Sequence, residues 1–216
     1  MAELVEINGT DLAAMLCSRV CHDLISPVGA IGNGLEVLAD PEQAEMAEFA
    51  QDLINSAAKQ ARAKLEFARL AFGASSTQGT EIDTREAEKV AQSYMSGEKA
   101  DLDWKIVPVL LPKNKVKMIL NLLLISAGSV PRGGMITVEL DGAPLGQEGV
   151  ILRSTGKKTL IPYQVGPLLA GKPEDGRIDA QVIQPYYAGL LARDAGLDVT
   201  IEMIDDEVII KAVAPA

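Results

Sequence analysis

The one histidine among 216 residues lies in the stretch SRVCHDLISPVGAI, residues 18–31. An imidazole changes charge near neutral pH and is nucleophilic there, so His22 is the first candidate for chemistry. Three readings compete for it. Cys17, Cys21 and His22 are metal-ligand types, but Cys21 and His22 point about 100° apart on a helix and no second histidine can complete a zinc set. The metal reading is rejected, and no metal or cofactor is expected to be bound by this chain.

A packed structural histidine is the default reading of a single imidazole. Here, however, the helical neighbours at three and four residues are Ser18, Arg19, Ile25 and Ser26, a mostly polar surface on which a ring is free to react. The third reading is a phosphoacceptor. A ring nitrogen forms a labile phosphoramidate that can pass its phosphoryl group to an aspartate. Asp23 can fix the tautomer through the other nitrogen or take a proton, and Pro27 removes a backbone donor and can loosen the turn that carries His22.

The element that must position His22 is a long helix. Thr10 and Asp11 supply a helix-start signal. Ala14, Cys17, Cys21, Leu24, Val28, Ile31, Leu35 and Leu38 then recur at alternating spacings of 3 and 4, a heptad seam in which both cysteines read as small core residues. Asp40-Pro41 ends this helix and starts a second, whose apolar run is Ala50, Ile54, Ala57, Ala61, Leu65, Ala68 and Phe72. So short a turn makes the two helices antiparallel. One hairpin cannot cover two seams, so a homodimeric four-helix bundle over residues 10–72 is predicted; a hairpin folded back on its own second domain stays open as the alternative.

GASSTQGTE, residues 73–81, reads as a linker, giving domains at 1–76 and 77–216. Beyond it the pattern is mixed. DTREAEKVAQSYMSG reads as a helix, DWKIVPVLL as one strand, KNKVKMILNLLLISAG as a buried helix, and MITVEL and GVILRS as paired strands. AQVIQPYYAGLLARDAG reads as a last helix before the hairpin LDVTIEMI-DD-EVIIKAV. The expected class is α+β, a helical hairpin followed by an α/β sandwich.

A net charge of −10 argues against nucleic acid, because phosphate binding needs a basic face. The longest apolar run, MILNLLLI, is too short to span a membrane, and the first residues carry no basic region or apolar signal core. A cytoplasmic protein is expected, with no secreted disulfide framework.

HDLISPVGAI resembles the H-box of sensor histidine kinases, usually His-Asp/Glu-Leu-x-x-Pro-Leu-x-x-Ile. His22, Asp23, Leu24, Pro27 and Ile31 match, and Val28 replaces the leucine. NLLLISAGSVPRGGMITV, residues 121–138, resembles the kinase N-box with its turn and strand, through Asn121, Leu122, Leu123, Pro131, Gly133 and Gly134. The departures are equally specific. The asparagine that holds magnesium in the kinases is Ile125 here, which offers no oxygen. STGKKTLIP stands where an Asp-x-Gly-x-Gly box is expected, and GPLLAGKPEDGR lacks the glycine repeat of the lid.

The whole chain thus resembles the histidine phosphotransferases built on a kinase-like dimer, with a degenerate ATPase (Bergerat) fold as second domain. The resemblance implies an Asp-His-Asp phosphorelay without kinase or ATPase activity, in which His22 is the phosphoacceptor and Asp23 its orienting or acid-base partner. It implies receiver domains as partners, namely that of the hybrid kinase CckA and those of the response regulators CtrA and CpdR, in control of the cell cycle. Mg²⁺ is then expected on the partner receiver. Docking is expected beside His22, at Arg19, Asp23, Ser26 and Gly29, and across the hairpin at about Lys59 to Glu66, including Arg62. The alternative is a non-catalytic adaptor that binds and inhibits receivers or kinases; an unusual ATPase is the weaker third.

Overall fold

The computed structural model describes residues 4–73, 81–142, 149–174 and 176–215. The linker reading falls mostly on residues 74–80, outside the described residues.

Helix α1 runs Gly9–Ala39 without a break, and Asn8, not Thr10 or Asp11, caps it by accepting a hydrogen bond from the Asp11 N–H. The proline expected to loosen the helix is buried inside it, with helical structure on both sides. Its missing N–H still leaves the Asp23 carbonyl without its usual donor four residues on. Asp40 caps a 3₁₀ segment, Pro41–Met46, by accepting from Glu42 N–H, and helix α2 follows at Ala47–Ala71. The return therefore begins as a tight 3₁₀ turn where a continuous helix was expected, because Gln43 leaves the helical region at φ −106°.

The heptad seam is displaced by one position from the face that packs within the chain. Pro27 and Gly34 are buried on α1, whereas the seam residues Val28 and Leu35 beside them are exposed, as are Cys17 and Cys21. One residue on a helix is about 100°, so the apolar stripe lies to one side of the α2 contact, with Leu24 and Ile31 half-buried and Val28, Leu35 and Leu38 facing outward. In the single chain both cysteines, read as small core residues of the seam, are exposed. Gly34 is where the helices come closest: an added Cβ would sit 2.6 Å from Ile54 Cγ1 and 3.1 Å from the Ala50 carbonyl. Ala50 and Ala57 are buried in the same seam, and Ala58 faces solvent.

The α/β part opens with β1 (Glu81–Asp83) and α3 (Thr84–Met95), then β2 (Ala100–Trp104) and β3 (Leu110–Pro112). The single strand read across residues 103–111 is thus two strands in different sheets: β2 joins the main sheet and β3 pairs antiparallel with β1. Helix α4 (Lys113–Ser129), strands β4 (Gly134–Leu140) and β5 (Val150–Gly156), short helix α5 (Val165–Leu169), helix α6 (Ile183–Asp194) and strands β6 (Asp198–Ile204) and β7 (Glu207–Val213) complete it. Helix α6 begins later than the sequence suggested, after an Asx turn in which Asp179 accepts from the Gln181 and Val182 N–H groups.

The five-stranded sheet has the order β2-β4-β5-β7-β6, parallel only between β2 and β4. Its apolar face and the buried sides of α3, α4 and α6 enclose the core, of which Ile136, Val138, Leu152 and Ile210 on the strands and Met118, Leu122 and Ala188 on the helices are members. Gly133, at φ +88°, and Gly134, whose added Cβ would meet the Thr155 carbonyl, let β4 start hard against its neighbours.

The core does not stop at the hairpin. Phe67, Leu70 and Ala71 of α2 belong to the same buried cluster as Ile82, Val90 and Leu123. A smaller cluster joins Leu12, Met15 and Leu16 of α1 to Leu168, Ile183 and Tyr186. Half of the hairpin is thus folded against the second domain, as the alternative reading held, while the far half keeps its stripe uncovered.

Candidate phosphoacceptor site

His22 lies midway along α1, on the side neither α2 nor the α/β domain covers, and its side chain is 81% exposed. Asp23, next in the chain, is turned about 100° round the helix and exposes 21% of its side chain. It lines a narrow crevice with Val20 of α1, Lys64 and Phe67 of α2 and Tyr94 of α3. Arg19, one turn earlier, donates from Nε to Asp23 Oδ2 at 3.1 Å. The other carboxylate oxygen, Oδ1, is 3.7 Å from His22 Nδ1. That separation is longer than a hydrogen bond and is an ion pair only when the imidazole carries a proton on both nitrogens. It turns Nδ1 toward the protein and leaves Nε2 as the nitrogen open to solvent.

The other residues expected to meet a partner are placed as follows. Ser26 and Gly29 are exposed on α1 beside His22, and nothing lies within 4 Å of a Cβ built on Gly29. Arg62 is exposed on α2, with Glu66 as an ion-pair neighbour at 3.8 Å. Arg19, expected as a partner contact, is half-buried and held by Asp23. Its first role in this structure is to orient that carboxylate.

Lys64 falls within the range Lys59 to Glu66 expected opposite His22, whereas Tyr94 escaped sequence reasoning. Lys64 borders both the Asp23 crevice and a second, polar groove formed by Lys59, Gln60 and Arg62 with Ser93 and Gly97 at the end of α3. Tyr94 stands between the two, its ring centroid 4.4 Å from that of Phe67. Burial pushes its phenol well above the usual tyrosine range, with the charges of Glu98 and Asp23 adding to the effect. No periodicity could have signalled Tyr94, because its place depends on how α3 docks on α2.

The residues resembling the N-box point elsewhere. Asn121 is fully buried and donates from Nδ2 to the carbonyls of Ala71 (3.1 Å) and Lys117 (2.9 Å). Gln184 Nε2 donates to the Asn121 carbonyl at 2.6 Å. Ile125 is buried in the core. Among the described residues no group of three or more His, Cys, Asp or Glu converges on one point, and no helix is long and apolar enough to cross a membrane.

Residues 84–207 match the family model described as the histidine phosphotransferase C-terminal domain. The chain is 45% identical over 208 residues to the protein phosphotransferase ChpT of Brucella abortus (strain 2308), covering 96% of this chain and 98% of that protein. The chain belongs to the histidine phosphotransferase family. A solved bacterial phosphotransferase overlays with a TM-score of 0.88 at 43% identity, covering 97% of this chain and all of the other. The α+β architecture read from the sequence, helical hairpin then α/β domain, is therefore the architecture of a phosphotransferase.

Proposed function

We propose that His22 is the phosphoacceptor of this phosphotransferase, relaying a phosphoryl group between receiver-domain aspartates. The observation that carries the reading is the imidazole standing 81% exposed with a carboxylate behind Nδ1. In the forward half-reaction the Nε2 lone pair attacks the phosphorus of an aspartyl phosphate. The P–O bond to the aspartate breaks, its electrons return to the carboxylate, and an N–P bond forms at Nε2. The proton stays on Nδ1, where the ring gains positive charge and Asp23 stabilises it. The return half-reaction reverses these bonds on a second receiver.

Most of the catalysis is positioning and charge, with Mg²⁺ held in the receiver's acidic pocket. Asp23 acts from this chain, and Ser26, Gly29 and Arg62 lie where a receiver would dock. The polar groove of Lys59, Arg62 and Lys64 offers positive charge to an acidic partner. By the family resemblance the donor is the receiver of the hybrid kinase CckA and the acceptors are CtrA and CpdR. The uncovered stripe of Ile25, Val28, Leu35, Leu38, Phe49 and Leu65 supports a homodimer closed as a four-helix bundle. The buried Ile125 and the committed amide of Asn121 support a relay that binds no ATP.

The test is to incubate the protein and His22→Ala with a phosphorylated receiver. The parent gains acid-labile, base-stable phosphate, and His22→Ala gains none while still binding the receiver. Transfer that survives the substitution overturns the reading. Unlabelled parent that still binds and blocks the receiver favours the adaptor alternative.

A further inference from the structure

The hairpin and the α/β domain are joined by two sets of contacts that the relay chemistry does not use. The first is at the end of α2. The carbonyl of Ala71, in the last turn, has no helical N–H to accept from. Asn121 supplies one from α4, and Gln184 of α6, itself buried, donates in turn to the Asn121 carbonyl. A line of buried amides therefore runs from α2 through α4 to α6. The second set is at the start of α1. The Val5 N–H donates to the Gly171 carbonyl at 2.9 Å, and the Tyr186 hydroxyl donates to the Val5 carbonyl at 3.0 Å. Leu12, Met15 and Leu16 follow this clasp onto Leu168 and Ile183.

The two clasps hold both ends of the hairpin nearest the second domain. Phe67 and Tyr94 pack with tilted rings beside Asp23. We propose that Asn121 and the segment Leu4–Leu16 are positioning elements for phosphotransfer, which keep the α3 wall of Tyr94 and Gly97 in register with His22 so that an arriving receiver meets one preformed surface. This rests on the relay reading given above. A preformed surface lowers the ordering cost of docking and leaves the reactivity of the imidazole unchanged. The clasps therefore act on how well a receiver is held, not on His22 itself.

Three variants of the full chain test this: Tyr186→Phe, which keeps the ring and removes the donor to Val5; Asn121→Leu, which keeps the volume and removes two donors; and removal of residues 1–6. If Asn121→Leu fails to fold, the other two carry the test. Amide hydrogen exchange over residues 7–16 reports opening of the clasp at the start of α1, and exchange over residues 68–73 reports opening of the clasp at the end of α2. Potassium phosphoramidate labels His22 without a receiver, its own N–P bond breaking to release ammonia as the imidazole N–P bond forms.

Exchange is expected to accelerate, and KM for a phosphorylated receiver to rise by about fivefold to tenfold, the range of one lost hydrogen bond, with kcat and phosphoramidate labelling unchanged. Unaltered exchange in every variant that folds, or faster exchange with unaltered KM, overturns the inference. Loss of phosphoramidate labelling in the variants overturns it too, because the clasp would then act on the imidazole. A parent that phosphoramidate cannot label at His22 sinks the relay reading itself, whereas a labelled parent with unaltered KM in its variants sinks the positioning role alone.

Discussion

His22 and Asp23 are consecutive residues that face different environments: the imidazole stands in solvent while the carboxylate turns into the crevice beneath α3, its Oδ1 3.7 Å from Nδ1. The helical rotation of about 100° between neighbours produces this division. One side chain is left free to meet a partner and the other is held by Arg19.

Asp23→Asn keeps the shape of the site and removes the charge behind the ring. Transfer from a phosphorylated receiver is expected to slow by about tenfold to a hundredfold, with the melting temperature unchanged. Arg19→Ala acts only through the partly exposed pair, so its effect is expected to stay within about fivefold, and on kcat, not KM. A large rise in KM for Arg19→Ala would return this residue to the role of direct partner contact.

Tyr94 makes the stability of the protein sensitive to alkali. Its phenol is pushed above its ordinary pKa of 10.0 first by burial and then by the charges of Glu98 and Asp23. A raised folded-state pKa means the stabilisation is complete below pH 10 and is lost as pH rises toward the folded value. The urea midpoint is expected to decline above pH 10 and to decline less in Tyr94→Phe. Tyr187, also raised by burial, contributes to the slope that remains.

Phe67 ties the hairpin to the α/β core, at 1% exposure with its ring against Tyr94. Phe67→Ala is expected to cost about 3–5 kcal/mol in denaturant unfolding. Gly34→Leu overfills the α1–α2 seam against Ile54 and is expected to cost about 1–3 kcal/mol. A neutral Gly34→Leu would mean that the two helices separate there more easily than this packing implies.

The exposed stripe on the far half of the hairpin gives a test of assembly. Leu35→Glu and Phe49→Glu together place charge where apolar side chains are 54% and 62% exposed in the single chain. Light scattering is expected to show the parent at twice the mass of the chain and the double variant at the mass of one. A parent of single-chain mass would remove the four-helix bundle.

Much of this protein was legible before the fold was known. The alternation of 3 and 4 between apolar positions announced two long helices, and the residues around His22 announced an exposed ring, because both are properties of one helix and its period. The pairing of β4 with β5, and the hairpin turned by Asp205 at φ +53°, followed from local turn chemistry and alternation. The readings that failed were those about neighbours. The seam was identified as apolar, yet which side of it meets α2 depends on Gly34 and Ala50 allowing close approach one position away. The strand expected over residues 103–111 is divided in the structure around Pro108, which has no N–H to give a ladder and marks the break between the two sheets.

Asp23, expected on the docking surface, turns into the crevice, whereas the amino-acid sequence by itself determined that His22 would stand on the polar flank of a long helix and that Ile125 could offer no oxygen to a metal. These follow from side-chain chemistry and the helical repeat. The Arg19–Asp23 pair, four residues apart on one helix, is local, whereas only the tertiary structure decided that Tyr94 stands beside Asp23 and that Asn121 binds the end of α2. Those contacts join residues fifty or more positions apart in the case of Asn121 and Ala71, and no local pattern encodes them. They exist because burying the apolar sides of α2, α3, α4 and α6 together brings residues distant in the chain side by side, where Asn121 meets the Ala71 carbonyl.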